Sequence, residues 1–439
     1  MRPDVIVIGA GLAGLTAAAR LGEAGAEVLV LAKGVGSTYL SPTTIDVLGY
    51  TGDGDGGGPS LVENPLDALP GLPAEHPYHL VGGRGVTQAV DWFKGCIAAG
   101  PLAPYAYMGD PSSNLLLPTA AGAVKPSAVV PESMAGGDVR DGGRICVVGF
   151  RALKDLHPAL LADNLSRTAQ GVEARSLELD LKPEGRTEHN ALGFARAFDD
   201  ASFRGQVVSL VSRGLYPGER VAFPAVLGSA APHTVWSELE ARLERSVFEN
   251  ATLPPSVPGI RVFASLRHAV TAAGGRIIVN AVVTGVERDG HRAGELRVRL
   301  GLREVTHRAD HVVLATGGFS AGGLELDSTW HAREVALGLP VTGVPGPGQE
   351  RFKPGYFDDH PMARAGLSVD ADQRPLDEGG ERVFENVVVA GASLAGAVPW
   401  KEKSGDGLAL ATGFRAAELI LAEGRLGRAS VSTTAEARA

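Results

Sequence analysis

Cysteine is almost missing from this chain of 439 residues; only Cys96 and Cys146 occur. Two thiols exclude a disulfide framework. They also exclude an iron–sulfur cluster held by the chain alone, which needs about four thiolates. Neither a C-x-x-C-H haem motif nor an H-E-x-x-H zinc motif is present, and the eleven histidines are scattered, so no metal site is expected. Long apolar runs are lacking as well. No stretch of about 18 or more residues escapes glycine or charge, so no transmembrane helix is expected. Val5 to Ala19 is uncharged, but Asp4 precedes it and three glycines interrupt it, which argues against a secretion signal. The net charge of −9 leaves no broad basic surface for nucleic acid or anionic lipid.

Glycine is what the chain has in excess. Its 59 residues are roughly twice the usual ~7% share, which favours a backbone that passes close to a ligand. Hydrophobic residues at 44% and charged residues at 21% are ordinary for a globular protein. The length suits two or three domains.

The glycines begin early. Val5 to Ile8 reads as a buried strand, Leu15 to Ala24 as a helix and Glu27 to Leu31 as a second strand. Between the first two lies Gly9-Ala10-Gly11-Leu12-Ala13-Gly14, the G-x-G-x-x-G pattern in the context it requires. Gly9 permits the tight turn, Gly11 lets the backbone approach a pyrophosphate, and Gly14 lets helix pack on strand. Leu12 and Ala13 then offer their N–H groups at the helix N-terminus, where an anion is favoured. The second strand ends in Ala32-Lys33-Gly34, where a ribose-binding carboxylate is usual. Lys33 would pair with a phosphate, suiting a mononucleotide or an altered adenosine site, or it is a solvated surface lysine.

Later segments point to flavin rather than nicotinamide. Val283 lies in a strand signal from Ala281 to Val286, and Thr316 and Gly317 follow the strand signal His311 to Leu314. Asn386 to Gly391 is a further buried strand, followed by Ala392 where an aspartate is usual. Gly405, Asp406, Gly407 and Leu408 open the last helix, whose N-terminus would face the pyrimidine edge of a flavin ring. No nucleophile constellation is present. Gln349 to Arg364 holds Arg351, Lys353, Tyr356 and His360. It reads as a solvated loop, or as a cover over the flavin in which Arg351, Lys353 and His360 are the catalytic candidates.

The fold expected is α/β, a Rossmann-like flavin-binding fold with an inserted second α/β domain. The flavin domain would comprise residues 1–60, 255–325 and 380–428, the insert 61–254 and a cap 326–379, with 429–439 a disordered tail. Arg144 to Gly149 and Arg220 to Pro224 read as strands of the insert, Val86 to Ala98 and Val262 to Ala273 as helices.

The sequence resembles the B-subunit family of the anaerobic glycerol-3-phosphate dehydrogenases. The likeness runs through the N-terminal glycine motif; Ser41-Pro42-Thr43-Thr44-Ile45-Asp46-Val47-Leu48; His76-Pro77-Tyr78; Leu253-Pro254-Pro255-Ser256-Val257; Ala315-Thr316-Gly317-Gly318-Phe319; and Glu385-Asn386-Val387. The resemblance implies a flavoprotein containing FMN, with FAD as the alternative, and it places Thr43 and Thr44 at the cofactor. It further implies an FAD-bearing A subunit that oxidises glycerol 3-phosphate, and an iron–sulfur C subunit that passes electrons to quinone. The chain would be cytoplasmic, reaching the inner membrane through a partner. Two alternatives stay open: a stand-alone flavin oxidoreductase of the fumarate-reductase or ketosteroid-dehydrogenase type, and a non-catalytic scaffold.

Overall fold

The computed structural model describes residues 2–52, 58–184, 189–356 and 358–424. The tail expected to be disordered lies outside the described residues. Two parallel sheets organise the chain. The first has the strand order Arg276–Val279, Val28–Ala32, Val5–Ile8, His311–Leu314, Val387–Val389. Every neighbouring pair is parallel, with Ile8 opposite both Leu31 and Leu314, and Leu314 opposite Val389.

Four of these strands are buried at every position because both faces are covered. Val5, Val7, Val28 and Val30 pack against helices on one face. Those helices are Leu12–Glu23, Val257–Ala272 and Gly405–Ala422, with Tyr78–Ala98 behind. Ile6, Ile8, Leu29 and Leu31 pack on the other face against Val283, Leu296 and Val298. These belong to an antiparallel meander, Ala281–Asp289, Arg292–Leu300 and Arg303–His307. The result is three layers around one parallel sheet.

The helix expected from Val262 begins at Val257. Ser256 caps it by accepting a hydrogen bond from the Gly259 N–H, and Pro258 occupies its first turn, so the Pro-Pro-Ser-Val segment is a helix start. The helix expected from Val86 begins at Tyr78 and kinks at Gly82.

The second sheet has the order Val172–Leu179, Gly143–Phe150, Glu219–Pro224, Val247–Asn250, again all parallel. Phe150, Phe194, Phe198 and Phe223 pack on one face; Leu161 and Leu165 pack with Ile145 and Val147 on the other. A buried ion pair joins this sheet to the first. Arg261, on the helix Val257–Ala272, donates to both carboxylate oxygens of Glu249 at 2.7 and 3.0 Å, and also to the carbonyls of Leu227 and Gly228.

Candidate functional site

At the carboxyl ends of the first-sheet strands the chain forms a cavity of about 380 Å³. That is where open α/β sheets bind nucleotides. Gly9, Gly11, Lys33, Gly34, Val283, Thr316 and Gly317 all line it, so the sequence-predicted residues converge there from four separate strand ends. Leu12, Ala13 and Gly14 form the adjoining first helical turn.

The three glycines of the turn are held for different reasons. Gly9 has φ +116°, and a Cβ there would stand 2.2 Å from the Ala315 carbonyl oxygen. A Cβ on Gly14 would stand 2.1 Å from the Gly9 carbonyl oxygen. Both positions are closed by the protein itself. Gly11 is the opposite case. Its φ is an ordinary −76°, and a Cβ there would meet no protein atom within 4 Å. The space beside Gly11 therefore belongs to the cavity.

Two further observations fit a nucleotide diphosphate. No side chain caps the helix at Gly11, which lines the cavity, so the first N–H groups beside it have no side-chain acceptor. Thr316 Oγ1 is buried with no hydrogen-bond partner. Lys33 is the one charged residue among the described residues of the lining, and it is exposed at the rim. The carboxylate usual at the end of the second strand has no replacement there. Ser37, Thr316 and Ser320 supply hydroxyls instead.

A second group of predicted residues lies around the start of the last helix. Gly405, Asp406, Gly407 and Leu408 make its first turn, with the Gly407 N–H donating to the Asp46 carbonyl at 3.1 Å. Ser41 donates to the Asp406 carboxylate at 2.5 Å. Thr43 is fully buried with φ +52°, an unfavourable conformation for a β-branched residue and one that recurs at functional sites. The Tyr107 hydroxyl holds it by donating to the Thr43 carbonyl at 3.0 Å. Thr44 donates to Asp46 at 3.0 Å, Ser127 donates to the same carboxylate at 2.7 Å, and Lys125 pairs with it at 2.6 Å. Gly391 and Ala392 adjoin both groups. The Gly391 N–H donates to Thr412 of the last helix, and a Cβ on Gly391 would come 3.0 Å from that of Ala13.

Burial pushes the Asp406 carboxyl up to about 6; the Asp46 charge adds to this, while Ser41 and Lys125 oppose it. Burial, and then the Lys125 charge, also draw Lys403 below the usual lysine range. Asp46, Lys125 and Lys403 are not among the sequence-predicted site residues. Asp46 lies inside the Ser41 to Leu48 segment, but nothing in the sequence around Lys125 marks it.

A raised carboxyl pKa means that the native state holds a proton the unfolded chain has released. Asp406 therefore contributes stability below the unfolded value near 4, and this is lost as pH rises through about 6. Asp406→Asn removes that dependence. Relative to the parent, it should gain about 2 kcal/mol between pH 4 and pH 7. Urea unfolding of both proteins at the two pH values checks this, and parallel curves would sink the assignment.

Arg351, Lys353 and His360 are not brought to the nucleotide cavity. Arg351 stacks over Trp330 at 4.5 Å, and Lys353 pairs with Glu350 at 2.5 Å. The Lys353 N–H donates to His360 Nδ1 at 3.0 Å, and His360 Nε2 donates to the Tyr356 carbonyl at 3.0 Å. Both ring nitrogens are spent on backbone groups. The segment is also less polar than expected: Phe352, Tyr356 and Met362 help to wall an apolar cavity. Among the described residues no group of three or more His, Cys, Asp or Glu is placed to hold a metal. Nor is any helix there long and apolar enough to cross a membrane.

The model of a family described as FAD binding domain matches residues 4–408. The probable B subunit of an anaerobic glycerol-3-phosphate dehydrogenase from Halobacterium salinarum is 32% identical, over 94% of this chain and 96% of its own. The corresponding B subunit from Vibrio cholerae is 29% identical, over 96% and 97%. Among solved structures, a 3-ketosteroid Δ1-dehydrogenase from Sterolibacterium denitrificans aligns with 96% of this chain and all of its own, at 15% identity and a TM-score of 0.46. The glycine turn, the nucleotide cavity and the full-length likeness lead to one family: the chain belongs to the FAD-binding-domain flavoproteins and, among them, to the B-subunit family of the anaerobic glycerol-3-phosphate dehydrogenases.

Proposed function

We propose that the chain is the flavin-bearing B subunit of a glycerol-3-phosphate dehydrogenase complex. In this reading the complex oxidises sn-glycerol 3-phosphate to dihydroxyacetone phosphate and passes electrons towards quinone. An FAD-bearing A subunit and an iron–sulfur C subunit would be the partners, and any membrane contact would come through them. The names of the full-length relatives support this reading. We carry over the division into a flavin domain (1–60, 255–325, 380–428), an insert (61–254) and a cap (326–379) as part of the proposal.

The nucleotide cavity favours FAD over FMN. It does not stop at the glycine turn but continues past the second strand to Ala281, Val282, Val283, Val335 and Ala336. A phosphate at Gly11 would leave that apolar end without purpose, whereas an adenine would fill it. The turn and the uncapped helix would hold the pyrophosphate, Lys33 would add positive charge, and the three hydroxyls would serve the ribose. When bound, a flavin accepts electrons in pairs and releases them singly to a one-electron carrier. The residues around Asp46 and Asp406 then fix the charge beside the last helix.

The test is to purify the chain, record its visible spectrum, denature it and identify the released nucleotide by chromatography. FAD is expected. FMN would remove the adenosine assignment and leave the flavoprotein reading standing. A colourless preparation that cannot be reconstituted would favour the scaffold. Dye-linked turnover of glycerol 3-phosphate by the isolated chain and by the assembled complex separates a stand-alone oxidoreductase from a component of a larger enzyme.

A further inference from the structure

Glu334 ends the second strand of a short hairpin, Leu324–Leu326 paired with Ala332–Glu334. The residue is 1% exposed, and among the described residues no cation offsets its charge. Its partners are backbone N–H groups of the turn that follows. Oε1 accepts from Ala336 at 2.8 Å; Oε2 accepts from Leu337 at 2.7 Å and from Gly338 at 3.1 Å. Successive N–H groups converging on one anion form a nest. Gly338 allows the turn at φ +71°, and the Glu334 N–H closes it by donating to the Leu339 carbonyl at 3.3 Å. Burial pushes the carboxyl above the usual glutamate range, against the pull of these N–H groups. Burying a carboxylate is costly unless its oxygens are hydrogen-bonded, so the side chain and the shape of residues 335–339 fix each other.

That shape matters because the turn is a wall. Val335 and Ala336 line the end of the nucleotide cavity beyond the second strand. Ala336, Leu337 and Leu339 are buried in the same apolar core as Ile8, Leu31 and Val283. The turn is also fastened to the strand end that bears Thr316. The Val335 N–H donates to the Gly323 carbonyl at 3.1 Å. A Cβ on Gly323 would stand 2.1 Å from the Gly317 carbonyl oxygen and 2.6 Å from that of Thr316. Gly323 therefore lies directly on the segment that brings Thr316 and Gly317 to the cavity. The glycine turn Gly9 to Gly14 is shaped by Ala315 and by its own backbone instead.

We propose that Glu334 is a positioning residue for the adenosine end of the cavity, a role that rests on the FAD reading above. Its carboxylate holds Val335 and Ala336 as the wall on which an adenine lies, and so sets the preference for a dinucleotide flavin over a mononucleotide. The test uses the full-length protein stripped of flavin and titrated in turn with FAD, FMN and ADP. The parent is expected to bind FAD more tightly than FMN. Glu334→Ala should weaken FAD at least tenfold and FMN less than twofold, and ADP, which carries the adenosine without the flavin, should fall with FAD. Glu334→Gln keeps an oxygen for two of the three N–H groups, so its loss should lie between the parent and Glu334→Ala. Gly338→Ala strains the turn while keeping the carboxylate and should act in the same direction; if the Glu334→Ala protein does not fold, these two variants decide. A lower Tm with an unchanged FAD-to-FMN ratio would overturn the proposal and leave Glu334 as a staple of the hairpin. Equal loss of both flavins would overturn it too. A parent that binds FMN as tightly as FAD would instead refute the FAD reading, and the proposal with it.

Discussion

Gly11→Leu is expected to leave the protein folded and strip it of flavin. A leucine there meets no protein atom at its Cβ and needs no unusual backbone angle, so the chain accommodates it. Its side chain would instead enter the space assigned to the pyrophosphate. Each charge-assisted hydrogen bond from the helix N-terminus contributes about 1.5–3 kcal/mol. Losing two of them weakens binding by roughly a hundredfold or more. Gly9→Ala is the contrasting control, because its Cβ would collide with the Ala315 carbonyl at a φ of +116°. It should lose stability and flavin together. Flavin absorbance per protein, measured beside urea unfolding, separates the two. If the Gly11 variant keeps a full complement of flavin, the nucleotide site lies elsewhere.

The second large effect lies away from the cofactor. Arg261→Met should destabilise the protein by about 3–5 kcal/mol, because the Glu249 carboxyl would stay buried without its partner. Arg261 and Glu249 are almost completely shielded, with side-chain exposures of 1% and 0%. Ser133 and the Leu227 N–H also donate to Glu249, so the carboxylate cannot swing out to water. The double variant Arg261→Met, Glu249→Leu removes both charges and should recover a large part of the loss. A double-mutant cycle in urea measures this coupling. A single variant within about 1 kcal/mol of the parent would show that water reaches the pair.

The cofactor end of the fold was legible because its signals are local. An unbroken apolar run means a strand covered on both faces, and three glycines after it fix a turn. Val5 to Ile8 and Gly9 to Gly14 carry both signals within ten residues. Other features depend on distant parts of the chain. Lys125 reaches Asp46 from a strand of its own, and only the folded structure shows that Asp46 and Asp406 share an environment. The aromatic cavity takes Phe319, Trp330, Phe352 and Trp400 from four places with no common period. The polar residues between them dominate the local sequence, which is why the Gln349 to Arg364 segment read as a solvated loop.

The strand order of the first sheet also sets a sequence of events on the ribosome. Val5–Ile8 gains one neighbour within 30 residues, but its other neighbour, His311–Leu314, emerges roughly three hundred residues later. The whole second sheet, from Gly143 to Asn250, is synthesised in between. Thr316 and Gly317 join the cavity only after that, and Val335 and Ala336 complete it. The nascent chain therefore carries an open glycine turn with half a binding site for most of its synthesis. Flavin capture is consequently a late step, and chains truncated before residue 317 should emerge without the cofactor, however well the second sheet has folded.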